Sequence, residues 1–157
     1  LVKSSDERVR LILAGLYLNN DKDKAIQSYE TTSKTQPNSV VVNNNLAWLY
    51  MEKGDLDNAL KYAEKAFAVA PNVANVVDTY SQILLKKGEM REALNKAVLA
   101  SELSNGEDID IQLNHIETLL ANGRRNEATK LLQVIMPLTN AQKEKSKKLL
   151  QLQLKDK

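Results

Sequence analysis

The chain has 157 residues, 43% hydrophobic and 27% charged, the balance of a folded domain rather than a disordered tract. It holds no cysteine and one histidine, which excludes disulfides, thiol catalysis, zinc ribbons and a histidine metal triad. Twenty-two basic against 20 acidic residues leave +2, too even to demand nucleic acid or an anionic membrane as partner, and the low aromatic, Gly and Pro content favours an all-helical fold.

The chain opens on Leu1 without a charged-then-apolar leader, which reads as a trimmed or mature part of a longer protein. No apolar run is long enough to span a bilayer, so no direct membrane insertion is expected within this segment.

Periodicity is the dominant signal. Ala25, Ala59 and Ala93 recur every 34 residues, and Ala128 follows after 35. Pro37 and Pro71 keep the interval, and Asn105 stands one period further on. Turn residues recur in step at Asn20-Asp21, Gly54-Asp55, Gly88-Glu89 and Gly123-Arg124. A fixed period of this size predicts stacked copies of one small unit.

Within a copy the apolar spacing is helical. Leu46, Ala47, Leu49 and Tyr50 form one stripe, and Ala59, Leu60, Ala63, Ala66, Phe67 and Ala70 form a second after the turn. Each copy is therefore predicted as two antiparallel helices. The small methyls at Ala59, Ala93 and Ala128 let the two helices approach closely. Pro37 and Pro71 close the second helix, with Asn38 and Asn72 as N-cap candidates for the next. Asp55, Asp57, Glu107, Asp108 and Asp110 fall at turns and helix starts, where they complement the helix dipole and cap free N–H groups.

This arrangement resembles the tetratricopeptide (TPR) repeat, whose pattern is W-x2-L-G-x2-Y, then A-x3-F, then P. The first copy reads Arg10-x2-Leu13-Ala14-x2-Tyr17, Ala25-x3-Tyr29, Pro37, with a turn one residue short. The second reads Asn43-x2-Leu46-Ala47-x2-Tyr50, Ala59-x3-Ala63, Pro71. The third reads Val77-x2-Tyr80-Ser81-x2-Leu84, Ala93-x3-Ala97, Asn105. The fourth reads Gln112-x2-His115-Ile116-x2-Leu119, Ala128-x3-Leu132, Asn140, with an extra residue near 104–107. No copy keeps the family's tryptophan. The resemblance implies an all-α, right-handed TPR-like α-solenoid of four helix-turn-helix repeats at 6–37, 39–71, 73–105 and 107–138, plus a capping helix at 140–155. In that helix Leu149, Leu150, Leu152 and Leu154 are expected to cover the last repeat, and Lys143, Lys145, Lys147 and Lys148 to face water.

The run Asn44 to Ala66 and the later Ala121 to Ala128 further resemble the C-terminal repeats of bacterial TPR lipoproteins associated with exopolysaccharide export and PEP-CTERM sorting. That resemblance implies a periplasmic, outer-membrane-anchored scaffold; without it a cytoplasmic location is equally open.

In the TPR family the first helix of each repeat lines a concave groove that binds an extended or helical segment of another protein. The resemblance assigns to this groove Asn44, Asn45, Trp48 and Glu52, then Asn75, Asp78, Gln82 and Lys86, then Asp110, Asn114, Glu117 and Ala121, with Arg8, Gly15 and Asn19 in the first repeat. Asn and Gln both donate and accept, which suits an extended peptide backbone, and Trp48 is either its apolar anchor or a packing residue. The Lys and Arg positions of the chaperone-tail subclass fall on Leu11, Gly15, Asn45, Asn75 and Thr79, which disfavours an anionic tail as ligand. His115 stands at a core-leucine position and is expected as a packed, hydrogen-bonded residue. The consecutive Asn43, Asn44 and Asn45 are poor helix formers, so tertiary stacking must hold their helix. With no nucleophile, acid–base or metal pattern, no catalytic residue, metal or cofactor is expected. A protein or peptide is the expected partner. A recruitment module of a larger enzyme and end-to-end self-association remain alternatives. RNA reading of the helical-repeat type is disfavoured by Asp78, Asp110 and Glu117 on the inward face.

Overall fold

The computed structural model describes residues 15–17 and 21–154. Arg8, Arg10, Leu11, Leu13, Ala14, Asn19 and Asn20 lie outside the described residues, as does residue 155 of the expected capping helix. Eight helices follow one another between Lys22 and Leu154, and no strand occurs among the described residues. They fall into two compact units, Leu1–Pro71 and Asn72–Lys157.

Unit 1 contains α1 (Lys22–Thr35), α2 (Val40–Lys53) and α3 (Leu56–Val69). Its core gathers Ala25, Ile26, Tyr29, Val42, Leu46 and Leu49, with Tyr17, Tyr50 and Tyr62 packed against it. Unit 2 contains α4 (Ala74–Lys87), α5 (Met90–Leu103), α6 (Ile109–Ala121), α7 (Arg125–Val134) and α8 (Asn140–Leu154). One of its clusters joins Leu94, Leu113, Ile116, Leu119, Ala128 and Leu149.

The periodic residues explain the hairpins. Ala25, Ala59, Ala93 and Ala128 are all fully buried, as the close approach of paired helices requires. The turns after α2 and α4 share one closure. Gly54 N–H donates to Met51 O and Asp55 N–H to Tyr50 O; Gly88 N–H donates to Leu85 O and Glu89 N–H to Leu84 O. This pairing needs a left-handed residue at the glycine, and Gly54 has φ 80°. The extra residue of the longer third period is absorbed the same way, with Asn105 at φ 53° and Gly106 N–H on Ser101 O.

Helix starts are capped from the chain's own side chains. Asp55 Oδ1 accepts Asn58 N–H at 3.1 Å, and Asp108 Oδ1 accepts Asp110 and Ile111 N–H at 3.0 and 3.2 Å. Thr139 and Gln142 form a reciprocal box before α8: Thr139 Oγ1 accepts Gln142 N–H, and Gln142 Oε1 accepts Thr139 N–H. The expected caps Asn38 and Asn72 are corrected by one residue. Ser39 caps α2 and Val73 precedes α4 without a side-chain bond, because each proline holds its successor in the turn.

Asn43, where the family has tryptophan, is fully buried and donates Nδ2 to Pro37 O at 2.9 Å. It ties α2 back to the turn that precedes it. In unit 2 the equivalent Gln112 pairs with Ser101 instead, at 2.9 Å. Ser81, where the family has glycine, donates to Ala93 O at 2.8 Å across the α4–α5 hairpin.

The capping helix needs two corrections. Leu149 is buried, but Leu150, turned to another face, is 45% exposed, and Leu152, one turn beyond Leu149, is 53% exposed where it lines an open groove. The side chain of Leu154 lies outside those described. Lys145 does not face open water but reaches α6, where it pairs with Glu117.

Candidate functional site

In unit 1, Asn44, Trp48 and Glu52 stand one turn apart along α2, which places them on one helix face. Trp48 is 37% exposed, and Lys22 of α1 lies 5.5 Å from its ring centroid. The same Lys22 pairs with Glu52 at 3.1 Å, so one cation spans the indole and the carboxylate. Asn45 turns aside and donates Nδ2 to the Tyr29 hydroxyl at 2.9 Å. It thereby joins α2 to α1. Asn44 Oδ1 is shielded from solvent and accepts no hydrogen bond.

In unit 2, Asn75 is exposed in the first turn of α4. Asp78 and Asn114 meet between α4 and α6, Asn114 Nδ2 donating to Asp78 Oδ2 at 2.7 Å. Lys145 of α8 donates to Asn114 Oδ1 and pairs with Glu117 at 2.8 Å. Gln142 of α8 also donates to Asp110 at 3.2 Å. Three helices are thus linked through one line of polar side chains, and Lys145 and Gln142 are the members that sequence reasoning missed. The lysine-rich surroundings of Lys145 gave no sign of which cation had a partner. Asp78 Oδ1 and Gln82 Nε2, half-buried one turn apart, have no hydrogen-bond partner. Burial pushes the Asp78 carboxyl up to about 7, and Asp108 and Asp110 add to the rise against the opposing effects of Asn114 and Lys145.

Unit 2 also holds apolar surface of which the sequence reading named only Ala121 and Leu152. Leu85, Met90, Leu120, Ala121 and Leu152 line a groove of about 380 Å³ beside Glu117 and Arg125. A second hollow of about 390 Å³ runs on from Glu117 and Leu152 along the Ala141–Lys145–Lys148 side of α8. The groove's apolar walls come from helix ends and turns, which a stripe-by-stripe reading assigns to neither core nor face.

His115 is half-buried, but neither ring nitrogen has a hydrogen-bond partner, which corrects the expected hydrogen-bonded packing. Burial pushes its pKa down; Glu127 opposes and Arg124 reinforces that shift. Among the described residues, no group of three or more His, Cys, Asp or Glu side chains is placed to hold a metal. No described helix is long and apolar enough to cross a membrane.

Residues 41–73 match the tetratricopeptide repeat family. No curated protein matches the chain. A thermophilic TPR protein of Thermus thermophilus is similar at TM-score 0.80 and 19% identity, over 92% of this chain and 81% of that one. PilF of Pseudomonas aeruginosa is similar at 0.73 and 18%, over 96% and 64%. The O-GlcNAc transferase of Thermobaculum terrenum is similar at 0.70 and 16%, over 74% of this chain and 22% of the enzyme. At these identities the likeness carries the fold, a TPR-like helical solenoid, and nothing of the chemistry.

Proposed function

We propose that the chain is a non-enzymatic protein-interaction scaffold whose first-helix faces take an extended or helical segment of a protein partner. The carrying observation is apolar surface left outside the core beside polar groups. In unit 1 this is Trp48 between Asn44 and Glu52. In unit 2 it is the Leu85–Met90–Leu120–Leu152 groove beside Glu117. An aromatic anchor ringed by amides and charges supplies both the desolvation and the direction that peptide capture needs. The groove residues in this reading are Asn44, Asn45, Trp48, Glu52, Asn75, Asp78, Gln82, Asn114 and Glu117, with Asn45 and Asn114 acting mainly as positioning residues. Similarity to part of a transferase supports the alternative of a recruitment module in a longer enzyme. A role beside exopolysaccharide export is supported by the resemblance of residues 44–66 and 121–128 alone.

The test is selection of a random dodecapeptide library on the whole chain, followed by titration of the selected peptides. Trp48→Ala with Glu52→Ala should weaken binding by about tenfold or more without loss of helicity. Unchanged affinity, or no peptide selected at all, contradicts the reading.

A further inference from the structure

The net charge of +2 conceals a segregation. Residues 1–123 carry thirteen basic and seventeen acidic side chains, whereas residues 124–157 carry nine basic and three acidic. The basic end coincides with the three most exposed large apolar side chains among the described residues: Val134 at 72%, Met136 at 76% and Leu138 at 78%. They stand at the end of α7 and on the connector to α8, whose Ile135 is extended at φ −72°, ψ 133°. Alternate side chains of an extended segment share a side. Ile135 packs on the core of unit 2, while Val134 at the helix end and Met136 and Leu138 on the connector stay exposed.

This edge is held from both ends. Ile135 N–H donates to Leu131 O, and Leu138 N–H donates to Gln142 Oε1 at 3.1 Å. Cations flank it: Lys130 on α7 and Lys143 and Lys147 on α8 are exposed, whereas Lys148 lines the hollow on the other side of α8. Lys143, Lys147 and the 45%-exposed Leu150 recur at helical spacing and share one face of α8. Glu144, paired with Lys147 at 3.0 Å, and Glu127, paired with Arg124, are the acidic side chains in α7 and α8. Large exposed apolar residues grouped this way mark an interaction surface.

We propose that this end of unit 2 docks on an anionic lipid surface, with Met136 and Leu138 entering the headgroup boundary and Lys130, Lys143 and Lys147 facing acidic headgroups. Neither of the two hollows described above is lined by Val134, Met136 or Leu138. A fluid interface moulds around such side chains, whereas a protein partner would need a matching cleft. Docking of this kind lies in the interface and needs no spanning helix. It is independent of the peptide-binding reading.

The test is co-sedimentation of the whole chain with phosphatidylcholine vesicles, with and without about one-third phosphatidylglycerol. The bound fraction should rise about tenfold with the anionic lipid and fall away by about 0.5 M salt. Met136→Ser with Leu138→Ser, and separately Lys143→Glu with Lys147→Glu, should each abolish it with unchanged circular dichroism. Equal binding to both vesicles, or no binding, overturns the proposal. So does concentration-dependent self-association or capture of polyglutamate in place of vesicle binding, since either assigns the edge to a protein surface.

Discussion

Asp78 and Asn114 lie 36 positions apart in sequence and meet at 2.7 Å, the amide of α6 donating to the carboxylate of α4. The amide's oxygen is in turn held by Lys145, so this cation acts on the carboxylate through an intermediary rather than by contact. Asp78 is thus charged at a cost that its surroundings only partly offset.

That cost sets a pH dependence. An unfolded Asp ionises near 3.8, and Asp78 in the fold near 7. Between those values the folded state retains a proton that the unfolded state loses. Stability therefore falls as pH rises from about 4 to about 7 and is level above. Asp78→Asn removes this loss, and its stability advantage in urea unfolding should grow from near zero at pH 4 to about 1–3 kcal/mol at pH 8. Comparing the two proteins cancels His115, whose lowered pKa acts in the opposite direction as pH falls. A constant difference across pH would contradict the burial of an uncompensated charge.

The Ser81–Ala93 contact predicts a local sensitivity in the α4–α5 hairpin. Both residues are fully buried and joined by the 2.8 Å hydrogen bond. Ser81→Ala should cost about 0.5–1.5 kcal/mol, and Ala93→Leu about 1–3 kcal/mol by forcing the helices apart. A double-mutant cycle by urea unfolding should find the two coupled, because they touch.

The turns predict a purely conformational effect. Gly88 has φ 85°, and a Cβ built on it meets nothing within 4 Å. Gly88→Ala should therefore cost about 1–2 kcal/mol from the left-handed backbone alone. Asn105→Gly, at φ 53°, should be neutral or stabilising. Thermal unfolding checks both.

The hairpins were legible because their determinants are local and recur along the chain: the buried alanines, the turn glycines and the capping aspartates. Asp55 and Asp108 cap as their spacing implies. Ser39 was missed because proline displaces the cap by one residue. The site was less legible. Asn45 and Lys145 have side chains that sequence assigns equally well to solvent or to a partner, and only the third dimension pairs them with Tyr29 and Glu117. Likewise a whole-chain charge of +2 averages away the opposite signs of its two parts.

Because Trp48 is the single tryptophan, its emission reports directly on its surroundings. Binding of a selected peptide should shift that emission to the blue as the half-exposed indole loses water. Lys22→Ala should leave the shift intact while changing the unbound spectrum, since Lys22 sits over the ring.

The most direct measurement is site-specific photo-crosslinking of a selected peptide. Benzoylphenylalanine placed at Glu52 on α2 or at Gln82 on α4 should capture the peptide, and the same group at exposed Glu64 on α3 should not. Capture at Glu64 and at neither first-helix position would contradict the account.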